Sequence, residues 1–199
     1  MAPEAWRTVP TLAGRHVRLV PLRREHAPAL GAAGEEGGLC RLVYTLVPGM
    51  DEAAGYIERA LDMQAAGEAL PFAVLDPTGA VVGSTRFYHL DPAVPRLTIG
   101  YTWFATRVQR TAVNTEAKRL MLAHAFDTLG CAAVAFETSH LNLRSQAAIE
   151  RLGARRDGIL RAHLRHRDGS LRDTHVYSIL AQEWPDVRAR LDARLEPSA

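Results

Sequence analysis

The sequence lacks the features that mark membrane-spanning, secreted and disulfide-rich proteins. It contains no apolar run of about 20 residues, and its first residues, MAPEAWRTVP, lack the apolar core of a signal peptide. Cys40 and Cys131 are the only cysteines, which is too few for a disulfide framework. We therefore expect a cytoplasmic protein that does not associate with a membrane.

The sequence also has a small net charge and few lysines. The formal net charge at pH 7 is only +2, so no strong overall field would attract nucleic acid, and we expect no direct nucleic-acid binding. The basic residues are nearly all arginines, and Lys118 is the sole lysine. His163, His166 and Asp168 have metal-ligating side chains, but their surroundings are typical of a solvated hairpin. We therefore predict no metal site.

The chain is long enough and apolar enough to fold as one domain with a proper core. It has 199 residues, of which 47% are hydrophobic, and we find no repeat, low-complexity tract or domain linker. Strand-like and helix-like patterns follow one another along the chain. We predict a single α/β (α+β) domain over residues 1–199.

The segment from Arg96 to Gly130 is typical of a strand, a short basic loop and a long helix. Its strand part is β-branched and aromatic (LTIGYTWF), and Gly130 is a natural stop for the helix. We predict that Asn114 or Thr115 caps the helix and that Glu116 adds negative charge to its first turn. Free N–H groups and the helix dipole would face the loop, in the geometry of either a phosphate site or an ordinary connection.

Flanking segments place this strand in the middle of a sheet. Residues 70–90 are typical of a β-hairpin, and residues 132–138 of a strand that the long helix joins to the strand before it. Strands joined through a helix are parallel. If these two neighbours splay apart, they leave room for a ligand at their carboxyl ends.

Two further segments follow. Asn142 can cap a helix with the sequence NLRSQAAIERLGA, and residues 172–180 (RDTHVYSIL) predict a final strand. A terminal helix begins near Trp184, which we expect to pack on the domain as a structural anchor.

Three of these segments resemble the GNAT acyltransferases, particularly the RimJ/RimL-like ribosomal-protein N-acetyltransferase branch. Residues 109–114 (QRTAVN) are similar to the family's Q/R-x-x-G-x-G/A loop, with Ala112 in the place of a glycine. If that position needs positive φ, alanine would cost on the order of 1 kcal/mol. The helix after Asn142 and the strand over residues 172–180 are similar to later family segments in the same order. The resemblance implies a mixed, mostly antiparallel central sheet with splayed parallel central strands, flanked by helices.

The resemblance also implies acetyl-CoA as the acyl donor and a primary amine as the acceptor, which attacks the thioester directly. The acceptor would be a protein N-terminus or a small molecule, and a homodimer is compatible with the family. The residues implied to bind the donor are Trp103, Phe104, Gln109, Arg110, Thr111, Ala112, Val113, Asn114, Thr115 and Asn142. Alternatives are a non-catalytic acyl-CoA-binding module and an acyltransferase that uses another donor such as succinyl-CoA.

The resemblance suggests Ser145 as the group beside the thioester sulfur, although a serine in a first helical turn can also bond only to the backbone. Ile149 stands where many relatives have a tyrosine that could serve as the general acid, so that role cannot be assigned to this position. The candidates for the general base are Asp173, Glu137, His89 and His140. We take Ser145 and Asp173 as the catalytic pair to be examined first.

Overall fold

The computed structural model of the protein describes residues 3–196. Its strands are β1 (Leu12–Ala13), β2 (Arg18–Pro21), β3 (Ala69–Leu75), β4 (Val81–Asp91), β5 (Arg96–Phe104), β6 (Ala133–Ser139), β7 (Arg155–Arg165) and β8 (Leu171–Leu180). Its α-helices are α1 (Ala27–Glu35), α2 (Ala53–Ala65), α3 (Ala112–Ala123), α4 (Leu143–Leu152) and α5 (Trp184–Leu195). None of the helices in the described residues is long and apolar enough to cross a membrane.

The strands form one continuous eight-stranded sheet in the order β1-β2-β3-β4-β5-β6-β8-β7. Within residues 3–196, β5 and β6 are the one parallel pair, and every other neighbouring pair is antiparallel. The parallel pair follows from its connection, because α3 carries the chain back across the sheet before β6 begins. The predicted mixed, mostly antiparallel sheet is confirmed.

Helices cover both faces of the sheet, as two successive side chains of β4 demonstrate. Ser84 lies 3.3 Å from the Tyr56 hydroxyl of α2. Thr85 lies 3.5 Å from the Met121 sulfur of α3. Because neighbouring side chains on a strand point to opposite faces, α2 and α3 lie on opposite sides of the sheet. We call these the α2 face and the α3 face.

Glu116 has a different role from the one that its position in α3 suggested. Its side chain is buried, and its two carboxylate oxygens accept hydrogen bonds from the backbone N–H groups of Arg15 and His16 at 2.9 and 2.5 Å. A side chain on Gly14 would collide with this carboxylate, which explains the glycine there. Glu116 therefore fastens the turn between β1 and β2 to α3.

Trp184 is confirmed as a buried anchor of the last helix. It is 5% exposed, its ring stacks on Phe126 with centroids 5.5 Å apart, and its Nε1 donates to Asp127 Oδ1 at 2.8 Å. Phe126 and Asp127 belong to a π-helical turn, His124–Thr128, that continues α3. Trp184 thus attaches α5 to the end of α3.

Candidate active site

The two parallel strands part after three residues of pairing. Residues 96–98 of β5 pair with residues 133–135 of β6, and the pairing ends there. Strand β5 continues to Phe104 and β6 to Ser139, so their carboxyl-terminal halves diverge. We call the opening between residues 99–104 and residues 136–139 the wedge. The predicted splay is confirmed, and the wedge exposes backbone amides that a polar, extended ligand can bind.

A β-bulge bends β5 beside the wedge. Two residues of β5, Tyr101 and Thr102, lie opposite a single residue of β4, Thr85. Tyr101 has a φ of +51°, in the left-handed region that is strained for a residue with a Cβ atom. The extra residue interrupts the alternation of side chains. Tyr101 therefore points to the α2 face, like Gly100 before it, and Thr102 points to the α3 face.

Aromatic and cationic side chains cover the α2 face of the bulge. The Arg86 guanidinium carbon lies 3.9 Å from the centroid of the Tyr101 ring, and the Tyr88 ring meets Tyr101 edge-on at 5.2 Å. Arg86 is 2% exposed, so the ring face compensates in part for the lost hydration of its charge. A Cβ atom on Gly100 would lie 2.6 Å from the Tyr88 ring, which explains the glycine. In the sequence, this cluster is indicated only by the polar residues, Arg86 among them, within the otherwise apolar strand β4.

One backbone hydrogen bond fixes the direction of the β5 amides. The Ala105 N–H donates to the Val82 carbonyl of β4 at 2.7 Å. Because successive amides of a strand point to opposite edges, the Trp103 amide also faces β4, whereas the Thr102 and Phe104 amides face the wedge. Of the two β5 residues predicted to bind the donor, Trp103 and Phe104, only Phe104 therefore brings its N–H group to the wedge. Trp103 contributes a buried indole whose Nε1 has no hydrogen-bond partner within residues 3–196.

Side chains hold the loop after β5 in shape. Gln109 Nε2 donates to the Phe104 carbonyl at 2.9 Å, and Thr111 Oγ1 donates to the Val108 carbonyl at 2.7 Å. Between them Arg110 has a φ of +62°, a left-handed conformation. The loop is therefore a tight, defined turn, and its strained residue is Arg110.

Helix α3 begins earlier than the sequence suggested. Thr111 is the N-cap, because its Oγ1 accepts a hydrogen bond from the Val113 N–H at 3.3 Å. The prediction that Asn114 or Thr115 caps the helix was wrong, since both lie inside its first turn. The tight turn before Thr111 brings the chain into helical geometry sooner than the residue types indicate. Ala112 is helical, so the cost expected for alanine at positive φ does not arise there.

The N-terminus of α3 can hold an anion. The first amides of a helix have no acceptor four residues earlier, which leaves the Ala112 and Asn114 N–H groups directed at the loop, where the helix dipole adds positive potential. Arg110 is exposed beside them. Arg107 has another partner, because its backbone N–H and its guanidinium both bind the Glu36 carboxylate. The loop's available charge therefore comes from Arg110 and the helix, and these groups fit a pyrophosphate.

Helix α4 begins directly after the open end of β6. Asn142 caps it, with its Oδ1 accepting from the Ser145 N–H at 3.0 Å, as predicted. The Ser145 side chain is half-buried, and its hydroxyl makes no hydrogen bond within residues 3–196. Ile149 is buried against the core. Ser145 is therefore a free hydroxyl in the first turn of α4.

Glu137 lies on the α2 face of β6, at a cleft of ≈ 400 Å³ that His89, Thr98 and Ala135 also line. Its side chain is 17% exposed. The Tyr88 hydroxyl donates to its Oε2 at 3.2 Å, and His89 Nδ1 lies 3.8 Å from its Oε1. Glu137 therefore presents its carboxylate to this cleft.

Tyr88, whose hydroxyl donates a hydrogen bond to Glu137, is kept protonated by its surroundings. Burial, and then the negative charge of Glu137, raise the pKa of Tyr88 well above its usual range. Burial also lowers the pKa of Arg172, whose Nε has no hydrogen-bond partner within the described chain. Tyr88 therefore remains a donor to Glu137 at any ordinary pH.

Asp173 is engaged with the backbone of the neighbouring strand. Its Oδ1 accepts from the Ala162 N–H at 2.7 Å, where Ala162 has a φ of +48°. Its own N–H donates to His140 Nδ1 at 3.1 Å. Asp173 and His140 therefore support the joint between β7, β8 and the end of β6.

The histidines of the β7–β8 hairpin are also bonded to the protein. His166 is buried, with Nε2 2.8 Å from Ser139 Oγ and Nδ1 3.0 Å from Ser170 Oγ. Asp168 accepts from the Ser170 N–H in the turn, at 3.0 Å. No group of three potential metal ligands occurs in residues 3–196.

Comparison with known proteins agrees with this geometry. The family of acetyltransferase (GNAT) domains matches residues 16–155. YdaF of Bacillus subtilis (strain 168), named provisionally as a ribosomal N-acetyltransferase, is 31% identical over 106 residues. That alignment covers 53% of this chain and 57% of YdaF, so it spans just over half the length of the relative.

Two solved structures match over nearly the whole chain. A GCN5-related N-acetyltransferase from Brucella melitensis is 31% identical, with a TM-score of 0.86 and coverage of 96% of this chain and 87% of that one. A protein from T. thermophilus, described provisionally as an acetyltransferase, is 36% identical, with a TM-score of 0.82 and coverage of 94% and 97%. The chain therefore belongs to the GNAT family of acetyltransferases.

Proposed function

We propose that the protein is an acetyl-CoA-dependent N-acetyltransferase that moves an acetyl group to a primary amine by direct attack. The observation that carries this proposal is the continuity of the wedge with the N-terminus of α3. Open amides on β5, the tight turn at Arg110 and the first turn of α3 follow one another along the chain. This sequence of donors suits a ligand with a polar arm and a diphosphate.

Different groups of the protein bind different parts of the donor. Residues 110–115 and the dipole of α3 bind the diphosphate, and Gln109 fixes the loop through its bond to Phe104. The Phe104 amide binds the pantetheine arm from one side of the wedge. Asn142 keeps its amide NH₂ group for the other side, since only its Oδ1 is used in capping. When bound, acetyl-CoA supplies an acetyl group that is activated as a thioester.

Glu137 replaces Asp173 as our proposal for the general base. The Asp173 carboxylate is bonded to the Ala162 N–H, whereas the Glu137 carboxylate faces the cleft. Glu137 accepts the proton that the ammonium group must lose before it can attack. Ser145 donates a hydrogen bond to the leaving sulfur. We favour direct attack because Ser145 has no basic partner within residues 3–196 that could make it a nucleophile.

The acceptor is proposed to be a peptide N-terminus or a small primary amine. YdaF carries the name of a ribosomal N-acetyltransferase, which supports a peptide end, and the open cleft at Glu137 admits either class. A homodimer is proposed as well, because the edge strand β7 is exposed along all 11 of its residues and can pair with a second copy of the chain. Light scattering of the purified protein measures whether it forms a dimer.

The experiment that tests the function measures free CoA released from acetyl-CoA over a panel of amines and short peptides. We expect turnover with at least one amine and none with its N-acetylated form. Binding of acetyl-CoA without turnover across the panel would favour the non-catalytic module. Release that occurs only with succinyl-CoA would favour the other acyl donor.

A charge placed at Thr111 tests the diphosphate site. Thr111→Asp keeps a good N-cap, because aspartate also accepts from the helix amides, but it brings negative charge toward the phosphates. We expect the affinity for acetyl-CoA to fall at least tenfold, about 1.4 kcal/mol, in a titration by calorimetry. Thr111→Asn has nearly the same shape without the charge and should bind within about threefold of the wild type. Equal affinity of both folded variants would place the diphosphate elsewhere.

Removing the Ser145 hydroxyl tests its contact with the leaving sulfur. Ser145→Ala keeps the backbone N–H that Asn142 caps, so the stability should change by less than about 1 kcal/mol. We expect kcat to fall by roughly 10- to 10⁴-fold, while acetyl-CoA binding stays nearly intact. Single-turnover rates at saturating acetyl-CoA measure the effect. A rate equal to that of the wild type would remove Ser145 from the catalytic groups.

A further inference from the structure

Lys118 is buried on the α3 face, above the wedge. The residue is 8% exposed, and its Nζ donates to Thr102 Oγ1 at 2.8 Å. Its Nζ also lies 5.9 Å from the centroid of the Phe136 ring on β6. The amine therefore lies over both strands that line the wedge.

Lys118 has no acidic partner within the described chain. None of the ion pairs formed within residues 3–196 includes it. The groups that face it are the Thr102 hydroxyl of β5 and the Phe136 ring of β6. Glu116, two residues earlier on α3, is bonded to the turn between β1 and β2. Burial accordingly lowers the pKa of Lys118 to about 7.

The hydrogen bond from Lys118 continues through two hydroxyl groups. Thr102 Oγ1 lies 2.7 Å from Thr85 Oγ1, and Thr85 is fully buried on β4. Thr85 is the single residue that faces the two residues of the bulge, Tyr101 and Thr102. The chain Lys118–Thr102–Thr85 therefore joins α3, β5 and β4 at the bulge.

The hydrogen-bonded series Lys118–Thr102–Thr85 can affect the geometry of the site, because Thr102 directly follows the strained residue Tyr101. The Thr102 amide faces the wedge while its side chain points to the α3 face. Fixing that side chain therefore fixes the direction of an amide in the wedge. A methionine would fill a similar volume without burying an amine, so the lysine costs stability that apolar packing alone would not require.

We propose that Lys118 is a positioning residue of the acyl-transfer site: through the Thr102 hydroxyl, its amine holds the Tyr101 bulge so that the β5 amides point into the wedge. This inference rests on the proposed function for its kinetic consequence. The tether itself does not depend on that function, and it can be measured separately.

The kinetic test replaces Lys118 with methionine. We expect kcat to fall at least tenfold in Lys118→Met, with KM for acetyl-CoA within about threefold of the wild type. Thr102→Val removes the same hydrogen bond and should act alike, whereas Thr102→Ser keeps a hydroxyl and should retain most of the rate. The double variant, Lys118→Met with Thr102→Val, should be no slower than either single variant, because both break one contact.

Hydrogen exchange tests the tether without activity. We expect amides of residues 97–104 to exchange faster in Lys118→Met than in the wild type, while amides of β2 and β3 keep their rates. The free energy of unfolding gives a second readout. An unfolded lysine has a pKa near 10.4, so between about pH 7 and pH 10 the unfolded chain binds more protons than the folded one. The wild type should therefore gain stability relative to Lys118→Met as the pH rises through this window.

The outcomes separate this inference from the proposed function. Unchanged kcat in Lys118→Met beside an active wild type would overturn the positioning role and leave the function intact. A loss of stability at neutral pH with kcat unchanged would assign Lys118 a purely structural role. If the wild type acetylates no amine, the proposed function fails, and unchanged exchange over residues 97–104 would then overturn the tether as well.

Discussion

Glu137→Gln should lower kcat/KM for amine acetylation by roughly 10²- to 10⁴-fold, with acetyl-CoA affinity unchanged. Glutamine has nearly the same shape, and its carbonyl can still accept the hydrogen bond from the Tyr88 hydroxyl. The substitution therefore removes proton acceptance and leaves the α2 face of β6 in place. Steady-state rates with one active amine, measured across pH, record the loss.

The pH dependence distinguishes a base from a binding group. A free α-amine has a pKa near 8, and above that value most acceptor molecules have already lost their proton. The deficit of Glu137→Gln should therefore shrink as the pH rises from about 7 to about 9. Asp173→Asn provides the comparison, because its amide oxygen can still accept from the Ala162 N–H. A large rate loss in Asp173→Asn beside a normal Glu137→Gln would return the role to Asp173.

Trp184→Ala should destabilise the protein by about 3–5 kcal/mol. The substitution removes a buried ring that stacks on Phe126, and it leaves Asp127 without the indole donor. It also loosens α5 from α3, which a second contact joins, from Arg119 Nε to Asp192 Oδ1 at 2.8 Å. Urea denaturation followed by circular dichroism measures the change in the free energy of unfolding.

Trp184→Phe is the matched control for this anchor. Phenylalanine keeps most of the apolar area and the stack but loses the N–H group. Asp127 retains a second partner, since Arg188 Nη1 lies 3.2 Å from its Oδ2. The cost should therefore stay near about 0.5–1.5 kcal/mol, the value of one hydrogen bond. An alanine variant that unfolds at the same urea concentration as the wild type would contradict the anchoring role.

The sequence predicted the elements that carry long, regular patterns. The hairpin over residues 70–90, the central strand and the parallel strand β6 occur where periodicity and turn residues placed them, and the helix between the last two was predicted with a later start than it has. The parallel pairing of β5 and β6 follows from their connection through α3, whereas their splay was implied by the resemblance to the GNAT family. Asn142 was recognised as a cap because its side chain acts on its own local backbone.

Features that depend on φ or on register could not be predicted. Thr111, Asn114 and Thr115 are all capable caps, and the left-handed turn at Arg110 decides among them. The bulge at Tyr101 has no sequence signal, because tyrosine is otherwise typical of a regular strand. These two positions shape the wedge and the loop, so the geometry of the site could be established only from the structure.

Burial and cross-strand contacts decided the remaining candidates. The sequence could not rank Glu137 against Asp173, because the preference depends on whether a neighbouring N–H already binds each carboxylate. Lys118 was noted only as the sole lysine, and a lysine on a helix is usually exposed. Its burial follows from the position of α3 over the wedge.

The most direct test of the account is where acetyl-CoA contacts the backbone. Amide NMR spectra of the ¹⁵N-labelled protein, titrated with acetyl-CoA in the absence of an amine, report each N–H group separately. We predict the largest shifts at Thr102, Phe104 and residues 110–115, with smaller shifts at the Trp103 amide, which faces β4. Saturable binding whose shifts fall outside the wedge and the start of α3 would contradict the account.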